Sequence, residues 1–231
     1  MISVLIVGKG NVANHLLKAF RWLKDISVLQ IHSRNLINIP SADITIIAVS
    51  DDAIGEVSSH ITNPFVVHTS GSVSMEALQN KTRKGVFYML QTFSKEKPVN
   101  FQEVPFCLEA TNNDDLNTLE RLAKLLSEKT YFINSEQRKA LHVAAVFANN
   151  FTNHCYQIAA KICKTHQLPF EVLHPLIQET ALKIKVLSPK EAQTGPGIRN
   201  DQQTIQNHLH LLDSHQQEIY TILTKSIQDG Y

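Results

Sequence analysis

The sequence GKGNVA, which begins at Gly8, has the residue types and the spacing that suit the binding of a phosphate group. Gly8 would permit a tight turn, Gly10 would let the backbone approach a pyrophosphate, and Ala13 would let the following helix lie close to a sheet. The first turn of that helix, with Asn11 and Val12, would offer free N–H groups and the positive end of the helix dipole. A turn without a ligand can share the pattern. The apolar strand before it and the helical spacing after it favour a dinucleotide-binding turn.

The residues after the second predicted strand indicate which dinucleotide is bound. A site for NAD usually has an acidic residue there, which binds the ribose hydroxyls. This chain has Ser33 and Arg34 instead. A hydroxyl and a guanidinium suit the 2′-phosphate of NADP, so NADP is favoured over NAD. The missing carboxylate also argues against a methyltransferase that uses an adenosyl cofactor. The alternative is that Arg34 is a solvated surface arginine.

Two polar stretches, AVSDD and HTSGS, each follow a predicted parallel strand. Ligands of open α/β sheets bind at the carboxyl ends of the strands. We therefore expect Val49, Ser50 and Asp51 to line the cofactor cleft. Ser70 is expected to lie where the nicotinamide meets the substrate. Asp51 or Asp52 could instead cap the helix that follows.

The first part of the chain alternates short β-type runs with helical spacing, which predicts a mainly parallel, doubly wound α/β sheet of Rossmann type. The link between the second and third strands, residues 33–43, is too short for a crossover helix and is predicted to be a loop. The predicted strands are residues 2–7, 27–32, 44–49, 65–68, 85–88, 104–110 and 129–133, and the clearest predicted helices are 11–23 and 114–127.

The pattern changes after Asn134, where the residues favour helix and strands are no longer predicted. Helical stretches are predicted over 135–166, 170–187 and 201–228, separated by Pro169 and Pro189. We therefore predict a dinucleotide-binding domain at 1–134 and an all-α substrate and dimerisation domain at 135–231.

Composition and charge narrow the classes of function. The chain has 231 residues, of which 43% are hydrophobic, and a formal net charge of +1. A balanced charge gives no support for binding nucleic acid or a membrane surface, and no apolar run approaches the length of a membrane span. The three cysteines form no C-x-x-C pair and are predicted to be buried, reduced thiols; with no signal peptide recognised, a cytoplasmic location is expected. The histidines lack metal-ligand spacing, so no metal site is predicted.

Five segments together resemble a known family: VGKGNVA, HTSGS, FYMLQTFS at 87–94, LHVAAVFANNF at 141–151 and TGPGIRND at 194–201. They resemble a bacterial family of Rossmann-like proteins with a helical C-terminal domain of unknown function, whose members are described as NADP oxidoreductases. The wider resemblance is to 6-phosphogluconate dehydrogenase, 3-hydroxyisobutyrate dehydrogenase and pyrroline-5-carboxylate reductase. It implies hydride transfer between NADPH and a small carbonyl, imine or alcohol, and a homodimer formed through the helical domain.

The first long helix after Asn134 departs from the hydroxyacid dehydrogenases of the wider group. These enzymes carry Lys-x-x-x-Asn, whereas Lys139 is followed four residues later by Val143, so the lysine-based mechanism cannot be carried over. The helix offers His142 as a proton donor. Asn150, which lies about 80° round the helix from His142, could orient a substrate oxygen. His142 could instead be a core histidine satisfied by a backbone carbonyl. The missing pair also leaves open a non-catalytic NADP(H)-binding redox sensor that acts through a partner protein.

Arg199 follows the rigid turn Gly-Pro-Gly in TGPGIRND. In similar two-domain reductases, dimerisation brings residues of the partner to the active site, so the resemblance implies that Arg199 anchors an anionic part of the substrate. Arg199 could equally pair with Asp201. Either Asn200 or Asp201 is expected to cap the next helix.

Overall fold

The computed structural model describes residues 1–230, and its contacts divide the chain into two compact units, Met1–Ala148 and the chain from Asn149 onward. The first unit contains a seven-stranded sheet in the order β2-β1-β3-β4-β5-β6-β7, in which only β5 and β6 are antiparallel neighbours. This confirms the Rossmann-type, mainly parallel α/β sheet. The strands are β1 Ile2–Val7, β2 Ile26–Ile31, β3 Ile44–Ile47, β4 Phe65–His68, β5 Arg83–Met89, β6 Phe106–Ala110 and β7 Thr130–Phe132.

Helices cover both faces of the sheet, which is why its central strands are apolar without alternation. Helix α1 (Asn11–Phe20) and helix α3 (Asn113–Lys124) pack on one face. Helix α2 (Ile54–Ser59) packs on the other. All four residues of β3 are buried. Helix α1 turns Ala13, Leu16 and Phe20 towards the sheet at the spacing that a single helix face requires.

The link between β2 and β3 is a loop without a helix, as its length predicted. Three further links contain single 3₁₀ turns, at Asp51–Ala53, Met75–Ala77 and Phe101–Glu103. The first two of these turns follow β3 and β4, so they lie near the carboxyl edge of the parallel strands, where ligands bind in such sheets.

Helix α4 (Ser135–Ala145) begins with a capping box, in which Asn134 and Gln137 satisfy each other's backbone N–H groups. Its contacts group it with the first unit. The stretch predicted as helical over 135–166 is helical from Ser135 to Thr165, but a π-helix occupies Val146–Phe151 before α5 (Thr152–Thr165) begins. A functional division at residue 134 stays a prediction.

The second unit contains helices and no strand among its described residues, which confirms the helical C-terminal region. After α5 come α6 (His174–Lys183), the short α7 (Pro189–Ala192), α8 (Gln202–Leu209) and α9 (Ser214–Gln228). Cys163 and Cys107 are buried, as predicted, but the prediction was wrong for Cys155, which is exposed. No helix within residues 1–230 is long and apolar enough to cross a membrane.

Candidate functional site

The two glycines of the turn between β1 and α1 have different roles. Gly8 has a φ of +135°, and a Cβ there would overlap the carbonyl oxygen of Ala48 at the end of β3. Its N–H donates to the carbonyl of Ile31, 3.0 Å away, at the end of β2. A Cβ on Gly10 would meet nothing within 4 Å. Gly8 is therefore required by the protein itself, whereas the small size of Gly10 leaves open space beside the backbone.

The N-terminus of α1 has the features of an anion site. Gly10 is its N-cap and provides no side chain to accept from the first N–H groups, and no acidic residue lies in the first turn. The positive end of the helix dipole is therefore not neutralised by the protein. The side chain of Asn11 donates to the carbonyl of Phe93 at 3.0 Å and so ties the loop after β5 to this turn.

A cleft of about 1080 Å³ lies along the turn and the carboxyl ends of β2 and β3, at the upper end of the range for ligand pockets. It continues to Thr69 after β4 and to Gln91 and Phe93 after β5. Of the residues predicted to bind the cofactor, the cleft is lined by Gly8, Gly10, Asn11, Val12, Ser33, Arg34, Val49 and Ser50, but not by Asp51.

Asp51 has a different contact. Its Oδ2 accepts a hydrogen bond from the Ser72 hydroxyl, and its side chain caps no helix. The alternative of a capping role is therefore wrong for Asp51, and its role in binding the cofactor stays a prediction. Asp51 instead ties the 3₁₀ turn after β3 to the loop that follows β4.

The end of β2 carries no carboxylate. Between His32 and Ala42 no Asp or Glu occurs, and the backbone N–H of Arg34 donates to His32 Nδ1 at 3.0 Å. The next acidic residue, Asp43, accepts from the backbone N–H and hydroxyl of Ser3 at 2.8 Å and 2.7 Å, and these hydrogen bonds lower its pKa. His32, Ser33 and the exposed Arg34 are the polar side chains that this end of β2 contributes to the cleft, and Glu56 on α2 also lines it.

The loop after β4 is shaped by Ser70 and His68. Ser70 Oγ accepts from the backbone N–H groups of Ser72 and Val73, both at 3.1 Å, and the backbone N–H of Ser70 donates to His68 Nδ1 at 3.1 Å. His68 is fully buried; burial, assisted by the charge of Arg138, lowers its pKa to about 4. His68 is therefore neutral at pH 7, with its proton on Nε2. Ser70 is placed beside the cleft, but its hydroxyl is occupied in holding the loop.

A buried ion pair fixes this loop to α4. Arg138, which is 0% exposed, pairs with Glu109 on β6, and its Nη2 donates to the Val73 carbonyl at 2.6 Å. Ser135 donates to Glu109 from both its backbone N–H and its hydroxyl, at 2.9–3.0 Å. We call Val73, Glu109, Ser135 and Arg138 the Arg138 cluster.

His142 lies one turn after Arg138 and contacts Tyr88 near the end of β5. Tyr88 Oη is 3.3 Å from His142 Nδ1, and the rings meet edge to face. A Cβ on Gly71 would lie 2.6 Å from His142 Nδ1 and 2.8 Å from Tyr88 Cζ, so the backbone of Gly71 packs directly on this contact. Burial, followed by the neighbouring Cys107, raises the pKa of Tyr88 to about 12, so its hydroxyl keeps its proton. His142 is thus bonded to a hydroxyl, whereas the alternative reading expected a backbone carbonyl.

The sequence interpretation missed Tyr88, His68 and Arg138 as parts of this site. Tyr88 and His68 stand at the carboxyl ends of predicted strands, inside FYMLQTFS and next to TSGS, and this position was a usable signal. Arg138 gave none, because an arginine in an amphipathic helix is normally solvated. Lys139 beside it has an ordinary surface contact, with Nζ 3.1 Å from Glu136 Oε1.

Asn150 and Arg199 belong to the second unit. Asn150 lies in the π-helix, where its Oδ1 is 3.4 Å from Asn149 Nδ2, so the α-helical angles used to predict its direction do not apply there. Asp201 caps α8 by accepting from the Thr204 N–H at 3.1 Å, as expected, and within residues 1–230 Arg199 forms no ion pair with it. The roles of Asn150 and Arg199 stay predictions.

Comparison with known proteins extends these findings. Residues 104–227 match the family described as "Domain of unknown function (DUF2520)". A "putative NADP oxidoreductase" from Bacteroides fragilis is 38% identical, with 99% of this chain and 98% of that chain covered and a TM-score of 0.90. A reductive aminase from Aspergillus terreus, solved with NADPH and ethyl levulinate, is 10% identical over 99% and 93% of the chains, with a TM-score of 0.70. The 1-pyrroline-5-carboxylate reductase of Streptococcus pyogenes is 12% identical over 99% and 98%, with a TM-score of 0.64. No curated protein matches the sequence.

Proposed function

The chain belongs to the DUF2520 family, and from this premise we propose that it is an NADP-dependent oxidoreductase that transfers a hydride between NADPH and a small carbonyl, imine or alcohol. The observation that carries the proposal is the cleft: it joins the uncapped N-terminus of α1, the acid-free end of β2 and the loop after β4. The Bacteroides fragilis protein is described as an NADP oxidoreductase, and the Aspergillus terreus reductive aminase was solved in complex with NADPH, which supports the same cofactor here.

Each part of the cleft suits one part of NADP. The pyrophosphate would bind at Gly8, Gly10, Asn11 and Val12, where no side chain caps the first N–H groups of α1 and Gly10 leaves room. Ser33 and Arg34 would bind the 2′-phosphate. Val49 and Ser50 would contact the middle of the cofactor, and the nicotinamide end would extend towards Thr69.

The cofactor, when bound, supplies or accepts the hydride, and the protein positions the reacting groups. His142 would provide a hydrogen bond or a proton to the oxygen or nitrogen of the substrate. Ser70, which shapes the loop between the cleft and His142, would orient this end of the site. Asn150 would orient a substrate oxygen, and Arg199 would bind an anionic group of the substrate.

A homodimer formed through the helical unit, in the cytoplasm, completes the proposal. Many large apolar side chains of this unit are exposed, among them Leu176, Val186, Leu211 and Ile222. A second copy of the chain would cover such a surface. Analytical ultracentrifugation of the purified chain tests the dimer directly, and a monomer at micromolar concentration would contradict it.

Titration with NADPH and NADH, followed by nicotinamide emission, tests the function. NADPH should bind more tightly, and Arg34→Ala should weaken NADPH binding about 10-fold or more, because a charge-assisted hydrogen bond is lost, and leave NADH binding unchanged. Arg21→Ala, which removes an exposed arginine outside the cleft, is the control. An equal loss for both cofactors would contradict the role of Arg34, and no binding of either would contradict the proposed function.

A non-catalytic redox sensor would share the cofactor and differ in turnover. It would bind NADPH with the same preference but would oxidise or reduce no carbonyl, imine or alcohol. Substrate screening with saturating NADPH or NADP⁺ therefore separates the two functions.

A further inference from the structure

The hydrogen bond between Tyr88 and His142 has a direction that can be assigned. Tyr88 is buried, and the described residues offer its hydroxyl one hydrogen-bond partner, His142 Nδ1. If Nδ1 carried a proton and donated it, the phenolic proton would be buried without an acceptor, which costs about 1–3 kcal/mol. The hydroxyl therefore donates and Nδ1 accepts.

Three contacts hold the pair in this arrangement. The backbone of Gly71 packs on Nδ1 and on the Tyr88 ring, which leaves no room for a water molecule on that side. The loop that contains Gly71 is bonded to α4 through Val73 and Arg138. The 11 residues of α4 carry both Arg138 and His142, so the same helix fixes the imidazole.

We propose that Tyr88 is a positioning residue that holds His142 with its proton on Nε2, so that the imidazole presents an N–H donor to a neutral carbonyl oxygen. His142 is half-buried, so its ring keeps access to the solvent side. The inference rests on the proposed function, and it assigns a substrate class to the same site.

The chemistry follows from the tautomer. Hydride addition from a reduced nicotinamide to a carbonyl carbon breaks the C=O π bond and moves its electron pair to oxygen, where the hydrogen bond that Nε2–H donates strengthens as negative charge develops. The oxygen then takes a proton from water. A protonated iminium has no lone pair on nitrogen and so cannot accept from Nε2–H. The site therefore favours a neutral substrate that accepts a hydrogen bond from Nε2–H over a cationic substrate.

The test is a long-range proton–nitrogen correlation spectrum of the ¹⁵N-labelled full chain, which distinguishes the two neutral tautomers of histidine. His142→Gln identifies the resonances of His142 by difference. In the unchanged protein His142 should show a proton on Nε2. Tyr88→Phe should shift the resonances towards a mixture of tautomers, and Tyr131→Phe, an exposed tyrosine on β7, should leave them unchanged. A proton on Nδ1 in the unchanged protein would overturn the inference.

The substrate class is tested with two unreactive probes in the presence of NADP⁺. The lactam 2-pyrrolidinone offers an acceptor oxygen, and pyrrolidinium offers only donors. The lactam should shift the Nε2 resonance of His142, and pyrrolidinium should not. If pyrrolidinium shifts this resonance, or if neither probe does, the proposed substrate class is overturned. Backbone amide shifts at Gly10 and Asn11 report NADP⁺ binding separately, so their absence would count against the proposed function without changing the tautomer result.

Discussion

The glycine turn and the Arg138 cluster both border the proposed site, but they hold their shapes by opposite means. The turn is consecutive in sequence and depends on the absence of side chains, since Gly8 touches the Ala48 carbonyl. The cluster joins three separate segments through a buried charge, with Arg138 and Glu109 lying 29 positions apart. The comparison shows that the turn is sensitive to an added atom at Gly8, whereas the Arg138 cluster is sensitive to the loss of a partner.

The largest expected effect is in the cluster. Arg138→Met would leave the Glu109 carboxylate, whose side chain is 14% exposed, without its cation, and the Val73 carbonyl without a donor. Removing one partner of a buried pair costs about 3–5 kcal/mol. Urea unfolding should show this loss in the free energy of unfolding with little change in the m-value.

Two controls sharpen this prediction. Lys129→Ala breaks an exposed pair with Glu103 and should cost less than about 1 kcal/mol. The double variant Glu109→Met with Arg138→Met removes both charges, so it should be more stable than Arg138→Met alone. If the double variant is less stable, the cost of Arg138→Met comes from lost packing rather than from an unpaired charge.

The turn offers a matched pair of glycines for the second prediction. Gly8→Ala combines a strained backbone at φ +135° with an overlap on Ala48, so it should lower the free energy of unfolding by about 3 kcal/mol. Gly10→Ala meets no atom and should cost less than about 1 kcal/mol. Its new methyl group would occupy the open space at the helix N-terminus.

NADPH titration of these two variants completes the comparison. Gly10→Ala should weaken NADPH binding about 10-fold or more, because the pyrophosphate would need the same space. Unchanged NADPH affinity in Gly10→Ala would show that the open space is not the phosphate site.

The difference between the two regions also explains what the sequence could predict. The turn, the mainly parallel character of the sheet and the loop between β2 and β3 depend on local pattern or on chain length, and all were predictable. Tyr88 and His142 are 54 positions apart, and their contact depends on how β5 and α4 pack. The exposure of Cys155 and the π-helix at Val146–Phe151 likewise depend on packing, since the residues themselves favour an ordinary buried helix.

The third predicted loss of stability, smaller than those of Arg138→Met and Gly8→Ala, concerns His68 at the end of β4. Burial lowers its pKa to about 4, from 6.5. Between these values the unfolded chain binds more protons than the folded protein, so stability is complete above about pH 6.5 and falls as the pH is lowered towards 4. From pH 7 to pH 5 the loss from this group should be about 2 kcal/mol.

His68→Asn should remove that pH dependence. An asparagine keeps an acceptor for the backbone N–H of Ser70 but cannot take up a proton in this range. The variant should therefore start from a lower stability at pH 7 and lose less of it by pH 5, as measured by urea unfolding at each pH. His60→Asn, which changes an exposed histidine, should keep the slope of the unchanged protein. An equal slope in His68→Asn would mean that His68 gains its proton without unfolding, and the loop that it holds would then be looser than the Arg138 cluster beside it.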